Sequence, residues 1–323
     1  MEELDLSPLE LYPNQFAQEL SLEDLKIFIE TVSSETFYPR VSEKSLNILR
    51  EWYELRKNKP QVSEEKYEFF KYMATKDNFR NILNEYGVAI ISDVLNEEEQ
   101  QKMIVEMWDH LEHITSKFEI PIDRENSSTW SEYYKLMVLH SMLMQHWGIG
   151  QSQMMWNLRE NPKIVEIFCK LWNTKAEDLL VSFDGASFHI PHEMTNRGFY
   201  RNKKWFHTDQ RVTDSSFKCI QSWITAYDVN EGDGTLTFLE GSHKFHHLLK
   251  KGLDVKETKG DWYKLDDARL KLMEENGCKI KNIMCPAGSL VLWDSRTVHA
   301  GKEPLVTRLK PNFRCVAGRF YIE

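Results

Sequence analysis

The chain has 323 residues, 41% hydrophobic and 28% charged, an ordinary globular composition at a length that can bury a sizeable core. A net charge of −9 and a pI near 5.7 leave no electrostatic reason to seek nucleic acid or an anionic membrane. No apolar run approaches the roughly 18 residues of a membrane span, and the acidic, proline-interrupted start MEELDLSPLELYPNQF is unlike a signal or transit peptide.

Residues 1–85 read as a helical extension. SLEDLKIFIETV offers Ser21 as an N-cap with acids in the first turn, and SEKSLNILREWYELRK repeats the pattern with Ser42. No residue here carries a catalytic signature, so the segment is expected to pack on a core. At EYGVAIISDVLNEEEQQKMIVEMWDHLEHI the texture changes. Gly87 opens an apolar, β-rich run from Val88 to Ile91, and Asn96 with Glu99 forms a capping box for an amphipathic helix. LMVLHSMLMQHWGIG reads as helical, with His140 and His146 packed in the core; His146, beside Gly148, is the better placed of the two to approach a pocket. A further helix, SQMMWNLRENPKIVEIFCKLW, is expected to break at Pro162. From about residue 178 short strands dominate: DLLVSFDGASFHI, FKCIQSWITAYDV, GTLTFLEG, AGSLVLWDS and FRCVAGRFYI, with one charged helical insertion at LDDARLKLMEENG. Helices first and strands second predict an α+β protein in which helices pack outside an antiparallel double sheet or barrel.

The chemistry concentrates at KKWFHTDQ, residues 203–210. On a strand, residues i and i+2 share a face, so His207 and Asp209 can reach one ion while Thr208 faces away. His110 and Glu112 have the same spacing but lie in helical text, where i and i+2 diverge. A third ligand is best supplied by PAGSLVLWDSRTVHAG, where a strand from Ser289 to Trp293 leads to His299. Two histidines and one carboxylate leave three positions open, the facial arrangement of non-haem Fe(II) oxygenases. The five cysteines, Cys169, Cys219, Cys278, Cys285 and Cys315, include no CxxC pair and none placed to join this set. They fit free thiols in an intracellular, cytoplasmic setting rather than a zinc cage. If the oxygenase uses 2-oxoglutarate, the far carboxylate needs a cationic fork. Arg314, fifteen residues after His299 at the start of the last strand, is preferred. Arg308, nine residues after His299, sits in the loop LVTRLKPN and reads as solvent-facing; Arg319 is a third choice.

The ordered set FHTDQ, CIQSWITAYDVNEGDGTLTFLEGSHKFH, PAGSLVLWDSRTVHAG and NFRCVAGRFYI resembles the phytanoyl-CoA dioxygenase-like family of Fe(II)/2-oxoglutarate oxygenases, over roughly residues 86–323. Its sharpest markers are Asp233, Gly234, Leu236, Gly241, Ser242, His243 and Lys244, together with WDSRTVH. The resemblance implies a double-stranded β-helix, or jelly roll, flanked by helices, with a dioxygenase domain at 86–323. It implies iron held by His207, Asp209 and His299, with 2-oxoglutarate gripped by Arg314. The spacing from His299 is longer than is common in the family, which keeps Arg308 as the alternative. Gln221, Trp223 and Thr225, alternating on one strand, are expected to complete the 2-oxoglutarate pocket, and Gln210 to line it. Asp184 and His189 are candidates on the substrate side. His243, His246 and His247 read as structural, and Lys203, Lys204 and Trp205 as part of an entrance flap.

The implied activity is hydroxylation of a C–H bond in a small-molecule or lipid-like substrate, with iron as cofactor and 2-oxoglutarate and O2 as co-substrates. The alternatives are a non-catalytic jelly-roll binding protein and a cupin-like metal enzyme of another reaction type. No basic cluster suits the phosphates of coenzyme A, and neither nucleic acid nor a membrane is an expected partner.

Overall fold

The computed structural model describes residues 6–33, 41–59, 66–181, 183–199, 201, 205–251, 260–318 and 321–322. The chain begins with four helices, α1 (Ser7–Leu11), α2 (Pro13–Glu19), α3 (Leu22–Ser33) and α4 (Glu43–Asn58). Ser21 Oγ accepts the Asp24 amide at 3.0 Å and Ser42 Oγ the Ser45 amide at 3.2 Å, so the polar residue that marks each start also satisfies an orphan amide there. These helices bury a small core of Leu9, Ala17, Leu25, Leu49 and Trp52, which takes in Leu309 from far along the chain.

The remainder of the first 85 residues is not helical throughout. Strands β1 (Lys66–Glu68) and β2 (Met73–Ala74) precede α5 (Phe79–Tyr86) and pair in parallel with strands of the two main sheets. Such short pairings have no periodicity of their own, which is why the sequence hides them. After α5, Gly87 turns with φ +82° into β3 (Val88–Ile91). Helix α6 (Glu97–Thr115) follows, opened by the full Asn96–Glu99 capping box.

The segment read as helical around His140 is instead a run of turns. Met137, His140, Ser141 and Trp147 all take positive φ, and between the 3-10 turn that ends at Leu136 and the one that begins at Ile149 only β4 (Leu143–Met144) is regular. Its apolar residues follow one another too closely to define a helical face, and β4 adds as an edge strand, so His140 and His146 end up exposed rather than in the core. Helices α7 (Gln153–Arg159) and α8 (Pro162–Trp172) are separate, with Pro162 in the first turn and Asn161 as cap.

The rest is mainly strand: β5 (Leu180–Val181), β6 (Ala186–His189), a short α9 (His192–Thr195), β7 (His207–Thr208), β8 (Ile220–Thr225), β9 (Thr235–Leu239), β10 (Tyr263–Lys264), α10 (Asp267–Glu275), β11 (Ile280–Ile283), β12 (Leu290–Asp294), β13 (His299–Lys302), β14 (Arg314–Gly318) and β15 (Tyr321–Ile322). DLLVSFDGASFHI is therefore two strands, split at Asp184–Gly185. Gly185 sits where an added Cβ would lie 2.2 Å from the Met144 carbonyl, so β4 can approach only because that residue has no side chain.

Six strands form one sheet in the order β1-β11-β9-β13-β7-β10, and seven the other, β2-β3-β12-β8-β14-β6-β4. Apart from β1 and β2, all pairings in them are antiparallel. The sheets face each other as a jelly roll across a core of Val88, Ile90, Trp223, Leu236, Phe238, Val291 and Val316. On the outside, α6 lays Met103, Met107, Trp108 and Leu111 against the seven-stranded sheet, with Trp108 meeting Phe188 edge-on at 5.2 Å. Each fully buried apolar side chain of this kind stabilises the fold by about 1.5–3 kcal/mol. Among the described residues no helix is long and apolar enough to cross a membrane.

Candidate active site

β7 and β13 are neighbours in the six-stranded sheet, and their register sets His207 directly opposite His299. The imidazole centroids are 4.4 Å apart. Asp209, just past β7, is held by its amide to the Ser295 carbonyl at 3.2 Å. Its carboxylate then reaches both rings, Oδ1 at 3.6 Å from His207 Nε2 and Oδ2 at 3.5 Å from His299 Nε2. One ligand atom from each residue falls within 4.8 Å of the others. Among the described residues this is the only group of three or more His, Cys, Asp or Glu side chains arranged in this way.

The two histidines are prepared by the same local device. His207 Nδ1 donates to the Trp205 carbonyl at 3.1 Å, and His299 Nδ1 to the Thr297 carbonyl at 2.9 Å, each two residues back. A carbonyl only accepts, so the proton is fixed on Nδ1 and the Nε2 lone pair is left facing the centre. Burial works against the charge on Asp209, but the His299 and His207 imidazoles and the Gln221 amide outweigh it and hold the carboxyl well below the usual carboxylate range. Two imidazoles with Nε2 turned to a common centre and an ionised carboxylate between them suit a divalent cation of the first transition row.

The residues that gave the family likeness its specificity turn out to be scaffolding for this cluster. Ser242 Oγ accepts the Val298 amide at 2.8 Å, just before His299, and Ser295 Oγ donates to Gln210 Oε1 at 2.7 Å behind Asp209. His243 and His246 spend Nε2 on the carbonyls of Asn84 and Gln210, as structural histidines do.

A cavity of roughly 200 Å³ opens beside the three ligands, walled by Trp205, Trp223, Leu236 and Trp293 and entered past His140, Gln145 and Asp184. Arg314, the first residue of β14, lines it. Its Nε donates to Ser187 Oγ at 2.9 Å and Nη1 to the Gly234 carbonyl at 2.6 Å, with the guanidinium 5.4 Å from the Trp223 ring centre. Burial lowers its pKa to about 10, which leaves it protonated at neutral pH. No carboxylate among the described residues lies within ion-pair distance of it, so a half-buried cation lines the cavity with only the longer-range field of Asp233 against its charge.

Arg308 is placed quite differently from its reading as a solvent-facing rival. It is 3% exposed, and its fork is taken up by Asp233 Oδ1 at 3.0 Å and by Glu193 Oε2 at 2.9 Å and Oε1 at 3.3 Å. The loop turns inward because Leu309 joins the core of the N-terminal helices, and it carries Arg308 in with it. Arg319, Lys203 and Lys204 lie outside the described residues.

Of the three alternating residues on β8, Gln221 and Trp223 line the cavity and Thr225 does not. Gln221 Nε2 donates to Asp209 Oδ2 at 2.5 Å, so it steadies the carboxylate, while its Oε1 is buried with no protein partner. Thr225 Oγ1 instead donates to the Tyr227 carbonyl at 2.7 Å, because the strand ends there in a turn. Gln210 is likewise drawn off the cavity by the carbonyls of Asp214 and Ser216. Asp184 lies at the cavity mouth, whereas His189 is fully buried behind it against the Gly198 carbonyl. Glu112, the lure in the helix, is paired with Arg124.

Sequence reading placed Trp205 at the entrance but missed the aromatic column that it builds there. Trp205 stacks on His207 at 4.9 Å, and His140 stacks on Trp205 at 4.1 Å. Trp205 lies two residues before His207, and that alternation was a usable signal. Nothing local marked His140, which arrives from a left-handed turn sixty-five residues earlier.

The sequence matches the family model for phytanoyl-CoA dioxygenase (PhyH) over residues 83–304. It is 27% identical over 229 residues to Ava biosynthesis cluster protein O of Aspergillus versicolor, covering 69% of this chain and 71% of that one. Two crystal structures share the fold. One is a hypothetical protein from Escherichia coli, with a TM-score of 0.54 at 13% identity, covering 98% of this chain and 80% of the other. The other is the GlcNAc Inducible Gene 2 protein of Candida albicans, with a TM-score of 0.50 at 13% identity, covering 97% and 74%. At that coverage the shared fold takes in the N-terminal helices as well as the jelly roll.

Proposed function

Because the chain belongs to the phytanoyl-CoA dioxygenase (PhyH) family, we propose that it is an Fe(II)- and 2-oxoglutarate-dependent dioxygenase that hydroxylates a C–H bond of a small-molecule or lipid-like substrate. One observation carries this reading: a half-buried arginine with no ion-pair partner among the described residues lines the same cavity as a His-Asp-His set. A cavity with only the three ligands would suit many metal enzymes. The added guanidinium fork calls for a carboxylate-bearing co-substrate next to the metal.

In this reading His207, Asp209 and His299 hold iron on one side. When bound, iron with 2-oxoglutarate and O2 supplies the oxidising power for C–H oxidation, 2-oxoglutarate leaving as succinate and CO2. Arg314 holds the far carboxylate of 2-oxoglutarate, supported against Trp223. Gln221 keeps the Asp209 carboxylate in place. Trp205 and Trp293 exclude bulk water from the reacting end, and the Asp184 side of the cavity receives the substrate.

The test is 2-oxoglutarate-dependent succinate formation by the purified protein, compared with Asp209→Ala at matched folding. The variant is expected to lose it entirely. Succinate release at the wild-type rate from Asp209→Ala would refute the ligand assignment. Tight 2-oxoglutarate binding by a wild type that makes no succinate with any substrate would favour a non-catalytic binding protein.

A further inference from the structure

We infer that the N-terminal helices, through Gln18 and Asn14 of α2, set the position of the arginine that anchors 2-oxoglutarate; this rests on Arg314 having that role. Asn14 and Gln18 are one helical turn apart, on one face of α2. Both reach the segment 228–234, which joins β8 to β9. Gln18 is 7% exposed and grips this segment twice: its Nε2 donates to Asn230 Oδ1 at 3.0 Å, and its Oε1 accepts the Glu231 amide at 2.7 Å. Asn14 Nδ2 donates to Asp228 Oδ2 at 3.2 Å and is itself fixed by the Trp52 indole of α4 at 2.9 Å.

The far side of the same turn faces the cavity. Asp233 closes the turn on the Asn230 amide at 2.9 Å and pairs with Arg308. Gly234, the next residue, offers the carbonyl that receives Arg314 Nη1. Gly234 is closely covered on its other side: an added Cβ would lie 2.8 Å from Met142 Sδ and 3.2 Å from Pro304 Cδ. A continuous path of bonded and hydrogen-bonded groups therefore runs from α2 to the guanidinium, as Gln18, Asn230, Asp233, Gly234 and Arg314. Binding of a carboxylate by a planar fork depends on alignment, and a displacement of about 1 Å in a supporting group is enough to cost much of it. Gln18 and Asn14 are thus positioning residues for the co-substrate, and the extension is a working part of the site.

The experiment is calorimetric titration of 2-oxoglutarate into the full chain loaded with Mn(II), which fills the metal site without turnover. Gln18→Met keeps the side-chain volume and removes both hydrogen bonds; it is expected to weaken 2-oxoglutarate by about tenfold, with Mn(II) affinity unchanged. Asn14→Ala, which frees the turn at Asp228 instead, is the second variant should the first fail to fold, and is expected to act in the same direction. A merely structural role would lower the melting temperature and leave the 2-oxoglutarate affinity of the folded fraction alone. Unchanged affinity in both variants, with binding abolished by Arg314→Met, would overturn the inference and leave the proposed function standing. Unchanged affinity in Arg314→Met would overturn the anchor assignment and the inference together.

Discussion

Arg308 and Arg314 lie six residues apart and differ in what surrounds their charge. Arg308 has two carboxylates, one of them the deeply buried Asp233, whereas among the described residues Arg314 has none within ion-pair distance. Their substitutions should separate cleanly. Arg308→Met strands Asp233 as an unpaired buried charge and is expected to cost about 3–5 kcal/mol, read as a fall in denaturant midpoint. Arg314→Lys keeps the charge but loses the fork, and about 1.5–3 kcal/mol of charge-assisted hydrogen bonding should appear as a 10- to 150-fold rise in the KM for 2-oxoglutarate at roughly unchanged stability. Equal stability loss in the two would contradict this difference in their surroundings.

His189 makes a separate prediction at the same scale. Burial pushes its pKa from 6.5 down to about 4. Below pH 6.5 the unfolded chain takes up a proton that the folded chain refuses. Stability contributed by neutral His189 is therefore present above pH 6.5 and lost as pH falls toward 4, by at most about 3 kcal/mol. His189→Gln can keep the bond to the Gly198 carbonyl without titrating. Urea stability of wild type relative to this variant should decline across that window; a constant difference would contradict the burial argument.

Among the elements, those with a local cause were legible in advance. The caps Ser21, Ser42 and Asn96, the break at Pro162 and the strands β8, β9, β12 and β14 follow from propensity, capping and alternation within a few residues. The elements that escaped were those made by a partner. β4 is regular only where it pairs with β6, and β1 and β2 only where they border β11 and β3. The β4–β6 contact depends on Gly185, so Gly185→Ala should lower the melting temperature and also weaken substrate binding, since β4 brings Met142 and Leu143 to the cavity wall. A variant as stable and as active as wild type would show that β4 can retreat at no cost.

For the whole molecule, the jelly roll brings together two faces of chemistry from strands more than ninety residues apart, and closing the metal ligands on a cation should stabilise the fold. At a hundredfold excess of free metal over its dissociation constant the gain is about 2.7 kcal/mol. Wild type should show a rise in melting temperature on adding Mn(II), and Asp209→Ala little or none; an equal rise in both would place the ion elsewhere. The sequence by itself marked His207, Asp209 and His299 as one cluster, Arg314 as a residue near it, and the fold class, because a two-residue strand spacing, a strand followed by histidine and an arginine opening the last strand are local patterns. Only the tertiary structure decided that Arg308 turns inward, that Thr225 and Gln210 are spent on carbonyls, that His140 reaches the entrance, and that α2 braces the turn behind Arg314. Each of these depends on which distant group a polar side chain meets, and that partner is chosen by packing rather than by neighbours in the chain.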